Sequence, residues 1–353
     1  MNFITPKQIE NHLKKYKPQY ATILGMRSNG KSSAVKSFCL KEFYKDGSKF
    51  VYMRRYSLDM KNWQVKRYFE NVDGFDVPSI SGIEGATIEA KNGELIVTHK
   101  EGKKNIIDDN IGYCVALSDI EHYKSLNFPN VKYIIFEEFV TTESYLQDEV
   151  TKLLNFVSTI FRLNEGVVFL VANTISEINP YFREFQFTNI SNQKIGTVDL
   201  YLNGNTRCTV WLTSPLGSGV NSNKMFFGER GKMIKHGEWD RNDKRKLEHS
   251  RKDYASIYTC VLRFHDKLFL LELLENESKH VWFVSPKTSD IQKGTRVISD
   301  TYIEDDLCTI GFIPLNQNEQ RAFNLLRQGK VAYSDNLTGT EFSQALKQLE
   351  KGI

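Results

Sequence analysis

One stretch, residues 20–33 (YATILGMRSNGKSS), constrains the fold of this chain more than any other. A short apolar run leads into Gly25, four variable residues follow, and Gly30-Lys31-Ser32 opens a segment compatible with a helix. This is the G-x-x-x-x-G-K-[ST] pattern with a strand before it and a helix after it, which is the setting that gives it meaning. The glycines let backbone N–H groups turn inward around a polyphosphate, and the helix N-terminus adds to this anion site. The stretch therefore predicts a nucleoside triphosphate site.

The residues of this Walker A loop have separate predicted roles. Lys31 is expected to reach the β- and γ-phosphates of ATP, and Ser32 is expected to offer its hydroxyl to Mg²⁺. A glycine turn that happens to precede Lys-Ser is the alternative, and the flanking strand and helix argue against it. The residues expected to contact the nucleotide are Gly25, Arg27, Asn29, Gly30, Lys31, Ser32 and Ser33.

A second motif lies downstream, in residues 130–139 (NVKYIIFEEF). Its continuous apolar run is what a strand buried on both faces requires, and Glu137 and Glu138 end it. Two acids in this place match the Walker B arrangement, in which the first holds Mg²⁺ through water and the second polarises the attacking water. Aspartate is usual at the first position, so Glu137 is a departure, although its longer side chain can serve.

Polar side chains also end two other predicted strands. Residues 167–172 (VVFLVA) end at Asn173, which takes the sensor position of additional-strand P-loop ATPases, and an ordinary turn asparagine fits this spacing equally well. Arg54 and Arg55 follow a short strand over residues 50–53. Because ligands bind at the carboxyl ends of parallel strands, both arginines are candidate phosphate contacts, with surface ion pairing as the alternative. The order of these elements predicts an α/β fold, a parallel sheet with helices on both faces.

The composition of the chain changes after residue 214. Residues 224–252 hold ten Lys or Arg against five acids, which is typical of a solvated linker and also of a phosphate-contact patch. The candidate DNA contacts in it are Lys244, Arg245 and Lys246. Three strand-like runs and two helical patterns follow, without a cluster of acids that would give them catalysis of their own. The expected division is a P-loop ATPase domain over residues 1–213, a basic linker over 214–250 and a smaller α+β domain over 251–353.

Composition and charge exclude several classes of protein. The 353 residues carry a formal charge of +4, so a polyanion would be bound by local clusters of cations rather than by the global charge. Five cysteines lie scattered without metal-ligand spacing, which is typical of reduced thiols in a cytoplasm. No apolar run approaches the roughly 20 residues of a membrane helix, and the N-terminus lacks a signal-peptide core. We expect a soluble intracellular protein without a membrane partner.

Five stretches together resemble the φ29-like bacteriophage DNA-packaging ATPases, or encapsidation proteins. They lie within residues 18–185, in the order found in that family: GMRSNGKSS, FVYMRRY, YKSLNFPNVKYIIFEEF, LLNFVSTIFR and VANTISEINPYF. The resemblance implies an additional-strand, RecA- and FtsK-like P-loop NTPase. It also implies a C-terminal domain similar, in strand pattern alone, to that family's vestigial RNase H-like domain. The implied function is ATP-driven packaging of double-stranded DNA into a procapsid.

The resemblance implies further site residues and partners. Arg162 matches the position of the family's arginine finger, which one subunit supplies to its neighbour's nucleotide, and Lys124 falls where a second cation acting in trans is expected. The implied cofactors are ATP and Mg²⁺. The implied partners are double-stranded DNA, the portal of the procapsid and other copies of the chain in a ring of five, and a packaging RNA stays open. The implied location is the host cell cytoplasm, at the portal vertex during assembly and not in the mature virion.

Three alternatives to a packaging motor remain open on the sequence. Another additional-strand ATPase, such as a helicase or a DNA-repair ATPase, would prefer single strands. A P-loop kinase for a small substrate is disfavoured by the paired acids, the downstream arginine and the basic linker. A non-catalytic nucleotide-binding scaffold is disfavoured by the intact Lys31, Ser32 and Glu138.

Overall fold

The computed structural model divides the chain into two compact units, Met1–Trp239 and Asp240–Ile353. The predicted linker over residues 214–250 falls largely in residues 215–243, which lie outside the described residues. The residues that the structure describes are 3–26, 28–72, 74–124, 126–141, 145–162, 164–173, 179–190, 192–214, 244–264, 267–277, 279–305 and 307–349.

The first unit is built on one sheet, which has nine strands in the described part of the chain. The strands are β1 (Tyr20–Gly25), β2 (Lys49–Arg54), β3 (Thr87–Lys91), β4 (Glu94–Glu101), β5 (Lys104–Ala116), β6 (Val131–Glu137), β7 (Val167–Asn173), β8 (Val198–Asn203) and β9 (Thr206–Leu212). They lie in the order β3-β4-β5-β2-β6-β7-β1-β9-β8. The six neighbouring strands β5-β2-β6-β7-β1-β9 run parallel. Antiparallel strands extend the sheet at both edges, β4 and β3 beside β5 and β8 beside β9.

Helices cover both faces of this sheet. They are α1 (Pro6–Tyr16), α2 (Lys31–Asp46), α3 (Asn62–Tyr68), α4 (Val77–Ser81), α5 (Glu149–Phe161) and α6 (Pro180–Glu184). Alternate side chains of β1 serve the two faces, because successive residues of a strand point in opposite directions. Ala21 and Ile23 join the core formed with α1 and α2, and Tyr20 and Leu24 join the core formed with α5 and α6. The predicted parallel sheet with helices on both faces is confirmed.

The β8–β9 hairpin is the part of this sheet that the sequence did not predict. Its second strand completes the parallel core by pairing with β1, whereas its first strand is an edge strand. Leu200 and Leu202 of β8 are exposed. Because apolar residues alternate with polar ones in β8, this strand lacks the continuous apolar run that marks the central strands.

The second unit has a sheet of six strands within residues 244–349 as described. The strands are β10 (Ala255–Phe264), β11 (Lys267–Asn276), β12 (Lys279–Pro286), β13 (Val297–Ser299), β14 (Cys308–Ile310) and β15 (Val331–Tyr333), and the helices are α7 (Gln317–Arg327) and α8 (Asn336–Leu349). The three strand-like runs predicted after the linker form an antiparallel meander, β10-β11-β12. The other three pair in parallel at its two edges. The likeness to an RNase H-like domain stays a prediction.

Two further observations concern both units. Within the described residues, no helix is long and apolar enough to cross a membrane. All five cysteines are free thiols, and four of them are buried.

Candidate nucleotide and catalytic site

The predicted phosphate loop joins β1 to α2 and has the backbone conformation that a phosphate loop needs. Ser28 and Gly30 have positive φ angles of 62° and 85°, and α2 begins directly afterwards at Lys31. Gly25 allows close packing, since a Cβ atom added to it would lie 1.9 Å from the Thr213 hydroxyl oxygen. The loop therefore presents the N-terminus of a 16-residue helix at the carboxyl end of β1.

The Lys31 ammonium lies in the middle of the site. It donates to the carbonyl oxygen of Met26 at 2.8 Å and to the side-chain oxygen of Asn173 at 2.9 Å. Asn173 reaches this lysine because β1 and β7 are parallel neighbours, with Gly25 opposite Asn173. The structure thus brings together two predicted site residues that are far apart in the chain.

Asn29 braces the loop from inside. Its side-chain nitrogen donates to the Thr213 hydroxyl at 2.6 Å, and that hydroxyl donates to the carbonyl oxygen of Leu24 at 2.8 Å. Asn29 is buried and so holds the loop in shape rather than facing solvent. Thr213, just after β9, escaped the sequence analysis because it lies outside any motif. Arg27 lies outside the described residues.

Glu137 is buried at the end of β6, with 6% of its surface exposed. The Tyr68 hydroxyl donates to its carboxylate at 2.7 Å, and the Ser32 hydroxyl also hydrogen-bonds to it. Burial raises the pKa of Glu137, and the hydrogen bonds from Tyr68 and Ser32 and the charge of Lys31 oppose that rise. A serine hydroxyl beside a carboxylate is a set of hard oxygen donors of the kind that Mg²⁺ prefers. The residues present therefore fit this ion.

Glu138 has a different environment, although it is the next residue. Its φ angle is 54°, in a region that non-glycine residues seldom adopt and that is often found at functional sites. Arg54 pairs with its carboxylate at 2.6 Å, and about half of the glutamate side chain is exposed. The two acids therefore point to separate tasks, one buried against Ser32 and one in contact with solvent.

Arg55 is more deeply buried than its neighbour Arg54, whose side chain is 22% exposed. Only 6% of its surface is exposed, and its Nε lies 2.9 Å and 3.0 Å from the two carboxylate oxygens of Glu149. It also donates to the carbonyl oxygens of Glu138 and Phe139. Arg55 was a candidate nucleotide contact, but its guanidinium instead bonds to α5 and to the turn after β6. It is therefore a structural residue of the site.

Glu149 is the centre of this buried network. It also accepts from the Tyr181 hydroxyl at 2.5 Å and from the backbone N–H of Leu146 at 2.7 Å. We expect Glu149→Gln to lower the free energy of unfolding of the first unit by about 3 kcal/mol, because it leaves the Arg55 charge buried without a counter-charge. Denaturant unfolding followed by far-UV circular dichroism measures this change.

The matched control for that variant is Glu89→Gln. This variant breaks the ion pair with Lys66, which has a length of 2.6 Å and a lysine side chain that is 45% exposed. Such pairs contribute less than about 1 kcal/mol. Equal losses in the two variants would contradict a special role for the buried pair.

Arg162 lies away from the phosphate loop, and the placement of Lys124 is known from its local contacts. Helix α5 starts after the carboxyl end of β6 and ends before the amino end of β7, and Arg162 caps it there with an exposed side chain. Because β6, β7 and β1 are parallel, Arg162 lies at the opposite edge of the sheet from Lys31. Lys124 follows a short 3-10 helix over Leu117–Tyr123 and pairs with Glu121 at 2.5 Å.

The candidate DNA contacts belong to the second unit. Lys244 donates to the Ser343 hydroxyl at 2.9 Å and lies over the Tyr333 ring, so it packs against α8 and β15. Arg245 and Lys246 are exposed and line a cleft of about 390 Å³. Other basic side chains lining this cleft are His249, Lys279, His280 and Lys330, and its acidic ones are Glu248 and Glu277.

Comparison with known proteins gives matches over the first unit and over the whole fold. The family model described as podovirus DNA encapsidation protein (Gp16) matches residues 9–201, which is more than half of the chain. The DNA packaging protein of Bacillus phage phi29 is 32% identical over 182 residues, covering 50% of this chain and 49% of that protein. That of Bacillus phage B103 is 34% identical over 168 residues, or 46% of each chain. The chain thus spans about half the length of the curated relatives it matches.

Two solved structures share the fold along nearly all of the chain. One is the bacteriophage Phi-29 viral genome packaging motor assembly, with a TM-score of 0.58 and 19% identity over 99% of this chain and 100% of that one. The other is the Phi-28 gp11 DNA packaging motor, with a TM-score of 0.50 and 19% identity over 98% and 99% of the two chains. At this identity the likeness establishes the fold.

Proposed function

We propose that this chain, which belongs to the podovirus DNA encapsidation protein family, is an ATPase that drives double-stranded DNA into a phage procapsid. The observation that carries the proposal is a convergence of side chains at one edge of the sheet. Lys31, Asn173, Glu137 and Glu138 come from the carboxyl ends of three neighbouring parallel strands, β1, β7 and β6. This edge is where α/β sheets bind their ligands. The names of the relatives supply the substrate of the proposal, DNA for packaging.

Nucleotide binding falls to the loop and the helix that follows it. The N-terminus of α2 and the loop N–H groups would hold the phosphates, and Lys31 would exchange its contacts with Met26 and Asn173 for phosphate oxygens. Asn173 would then be released by the lysine and free to contact the γ-phosphate. Ser32 and Glu137 would hold Mg²⁺, which when bound neutralises charge on the β- and γ-phosphate oxygens.

Activation of the attacking water falls to Glu138. It is the more exposed of the two acids, and its carboxylate is bonded to Arg54 in this structure. Arg54 occupies a hydrogen-bond position on this carboxylate that an attacking water would otherwise use. We propose that Glu138 must leave Arg54 before it can take a proton from water, so the pair describes a resting state of the site.

Arg162 completes the site of another copy. Its place at the opposite edge of the sheet keeps it from the phosphates bound by its own chain. A ring of identical subunits with head-to-tail contacts would bring the two edges of successive copies together. A guanidinium entering the neighbour's site would neutralise charge that develops in the transition state. The ring, its five members and its docking on the portal are parts of this proposal.

DNA contacts are proposed at Arg245 and Lys246, with Lys279 and Lys330 on the same cleft. A motor must hold DNA without reading its sequence, so these cations would contact backbone phosphates. Binding should therefore weaken steeply as salt rises. Lys244 supports the segment through Ser343 rather than facing a ligand.

The ATPase half of the proposal is tested by Lys31→Ala. Removing the ammonium is expected to abolish ATP hydrolysis and weaken nucleotide binding, because it removes the positive charge from the β- and γ-phosphates. The control is Lys41→Ala, which removes an exposed lysine from the same helix and should leave turnover unchanged. Phosphate release measures both variants. Unimpaired turnover by Lys31→Ala would overturn the assignment of the phosphate loop.

A further inference from the structure

We propose that Tyr68 is a positioning residue that fixes the Glu137 carboxylate, so that a glutamate can serve where aspartate is usual. The inference rests on the proposed function, because it concerns the acid assigned to Mg²⁺ there. Glu137 has one more rotatable bond than aspartate, and therefore more rotamers to restrict before its carboxylate can act. The Tyr68 hydroxyl donates to that carboxylate at 2.7 Å from one side, and Ser32 bonds to it as well.

Tyr68 is itself held on several sides. Its ring stacks on Tyr52 with centroids 4.3 Å apart and meets Phe69 edge-on at 4.9 Å. The Lys36 ammonium donates to the backbone carbonyl of Tyr68 at 2.5 Å and lies 4.5 Å from the centre of its ring. Lys36 is only 4% exposed. The hydroxyl of Tyr68 therefore points at Glu137 from a rigid support.

Lys36 also ties this support to the phosphate loop. It stands on α2, the helix that begins at Lys31 and carries Ser32, and its ammonium is enclosed by the rings of Tyr68, Phe69 and Phe75. Through Lys36, the end of α3 is fixed to the same helix that presents the serine. The two hydroxyls that bond to Glu137 thus come from elements that are joined to each other.

In this arrangement, an aspartate at position 137 would orient its carboxylate less well than the glutamate does. A carboxylate shortened by one methylene would lie farther from the Tyr68 hydroxyl. Because Tyr68 is firmly packed, its hydroxyl would not follow, and the hydrogen bond would be lost. We therefore expect Glu137→Asp to weaken the Mg²⁺ site, although aspartate is the usual residue at this position of the motif.

The test measures Mg²⁺ dependence rather than turnover. A fluorescent, non-hydrolysable ATP analogue is titrated onto the full chain over a range of Mg²⁺ concentrations and also in EDTA. Tyr68→Phe is expected to raise the half-saturating Mg²⁺ concentration about tenfold, as loss of a partner that orients a ligand typically does, and to leave binding in EDTA unchanged. Tyr44→Phe is the matched control, since it removes a tyrosine–carboxylate hydrogen bond of 2.9 Å to Asp109.

The variant Glu137→Asp tests the same hydrogen bond without changing the aromatic cluster around Tyr68. Glu137→Asp should raise the Mg²⁺ requirement in the same direction, and adding Tyr68→Phe to it should cost little more, because the two changes remove one interaction. An unchanged Mg²⁺ requirement in Tyr68→Phe, or effects of the two changes that simply multiply, would overturn the inference. The two failures can be told apart by the wild-type chain. If it shows no Mg²⁺-dependent binding at all, the proposed function fails together with the inference, whereas normal wild-type binding with an unaffected Tyr68→Phe variant overturns the inference alone.

Discussion

Arg162→Ala is expected to lower ATP turnover by about 10³- to 10⁵-fold, the range that an arginine finger contributes, and to leave nucleotide binding intact. The reason is the position of Arg162, at the opposite edge of the sheet from Lys31 of its own chain. In the proposed function it contacts a nucleotide bound by another copy, and it would act there in the transition state. Single-turnover phosphate release, with nucleotide affinity measured separately, checks both halves of this expectation.

The control for that variant is Arg207→Ala. Arg207 is also exposed, and it lies near the start of β9, at the same edge of the sheet as Arg162. Arg207→Ala should keep wild-type turnover if the loss in Arg162→Ala comes from that one side chain and not from the total positive charge at this edge of the sheet. Arg162→Lys should stay impaired, since an ammonium lacks the planar fork of a guanidinium.

Mixing variants tests whether the site is shared between copies. An interface between an Arg162→Ala chain, which keeps Glu138, and a Glu138→Gln chain, which keeps Arg162, contains one complete site. Mixed oligomers should therefore recover part of the wild-type turnover. If mixed oligomers form and no mixing ratio restores activity, the shared site is contradicted.

Glu138→Gln is expected to bind ATP and to hydrolyse it about 10²- to 10⁴-fold more slowly, which is the usual contribution of a general base. The amide keeps the shape of the side chain and cannot accept the proton of the attacking water. Because Glu138 is about half exposed and is bonded to Arg54, its replacement should disturb the fold little. Equilibrium binding and single-turnover hydrolysis separate the two effects.

Asp59→Asn serves as the matched control for Glu138→Gln. Asp59 lies 4.0 Å from the same Arg54 but ends no strand of the sheet. Its neutralisation should leave turnover close to that of the wild type. A comparable loss in the two variants would mean that the charge balance around Arg54, and not a base at position 138, controls hydrolysis.

The parts of the site that the sequence predicted are those in which local pattern and position agree. Gly25, Gly30 and Lys31 stand at fixed spacing between a strand and a helix, and that context alone specifies the loop conformation. Glu137 and Asn173 follow continuous apolar runs, and parallel pairing brings the ends of such strands together. The family resemblance added the partners, double-stranded DNA and the portal, only as expectations.

The parts that the sequence did not predict depend on contacts between distant residues. Arg55 and Glu149 are separated by 94 positions, and nothing near either residue indicates that both are buried. Tyr68 lies 69 positions from Glu137, in a short helix whose pattern is that of an ordinary surface element. Thr213 lies 184 positions from Asn29. In each case the side chain becomes informative only when the sheet places its partner beside it.

The central claim, that ATP hydrolysis is coupled to duplex DNA, is tested most directly by one titration. Steady-state hydrolysis is measured with blunt double-stranded DNA and, separately, with single-stranded DNA, at low and high salt, with Lys31→Ala as the blank. Stimulation by the duplex that falls steeply as salt rises is the predicted result, because backbone phosphate contacts release counterions. Stimulation by single strands alone would contradict the account and favour a helicase, whose channel stacks bases on aromatic side chains.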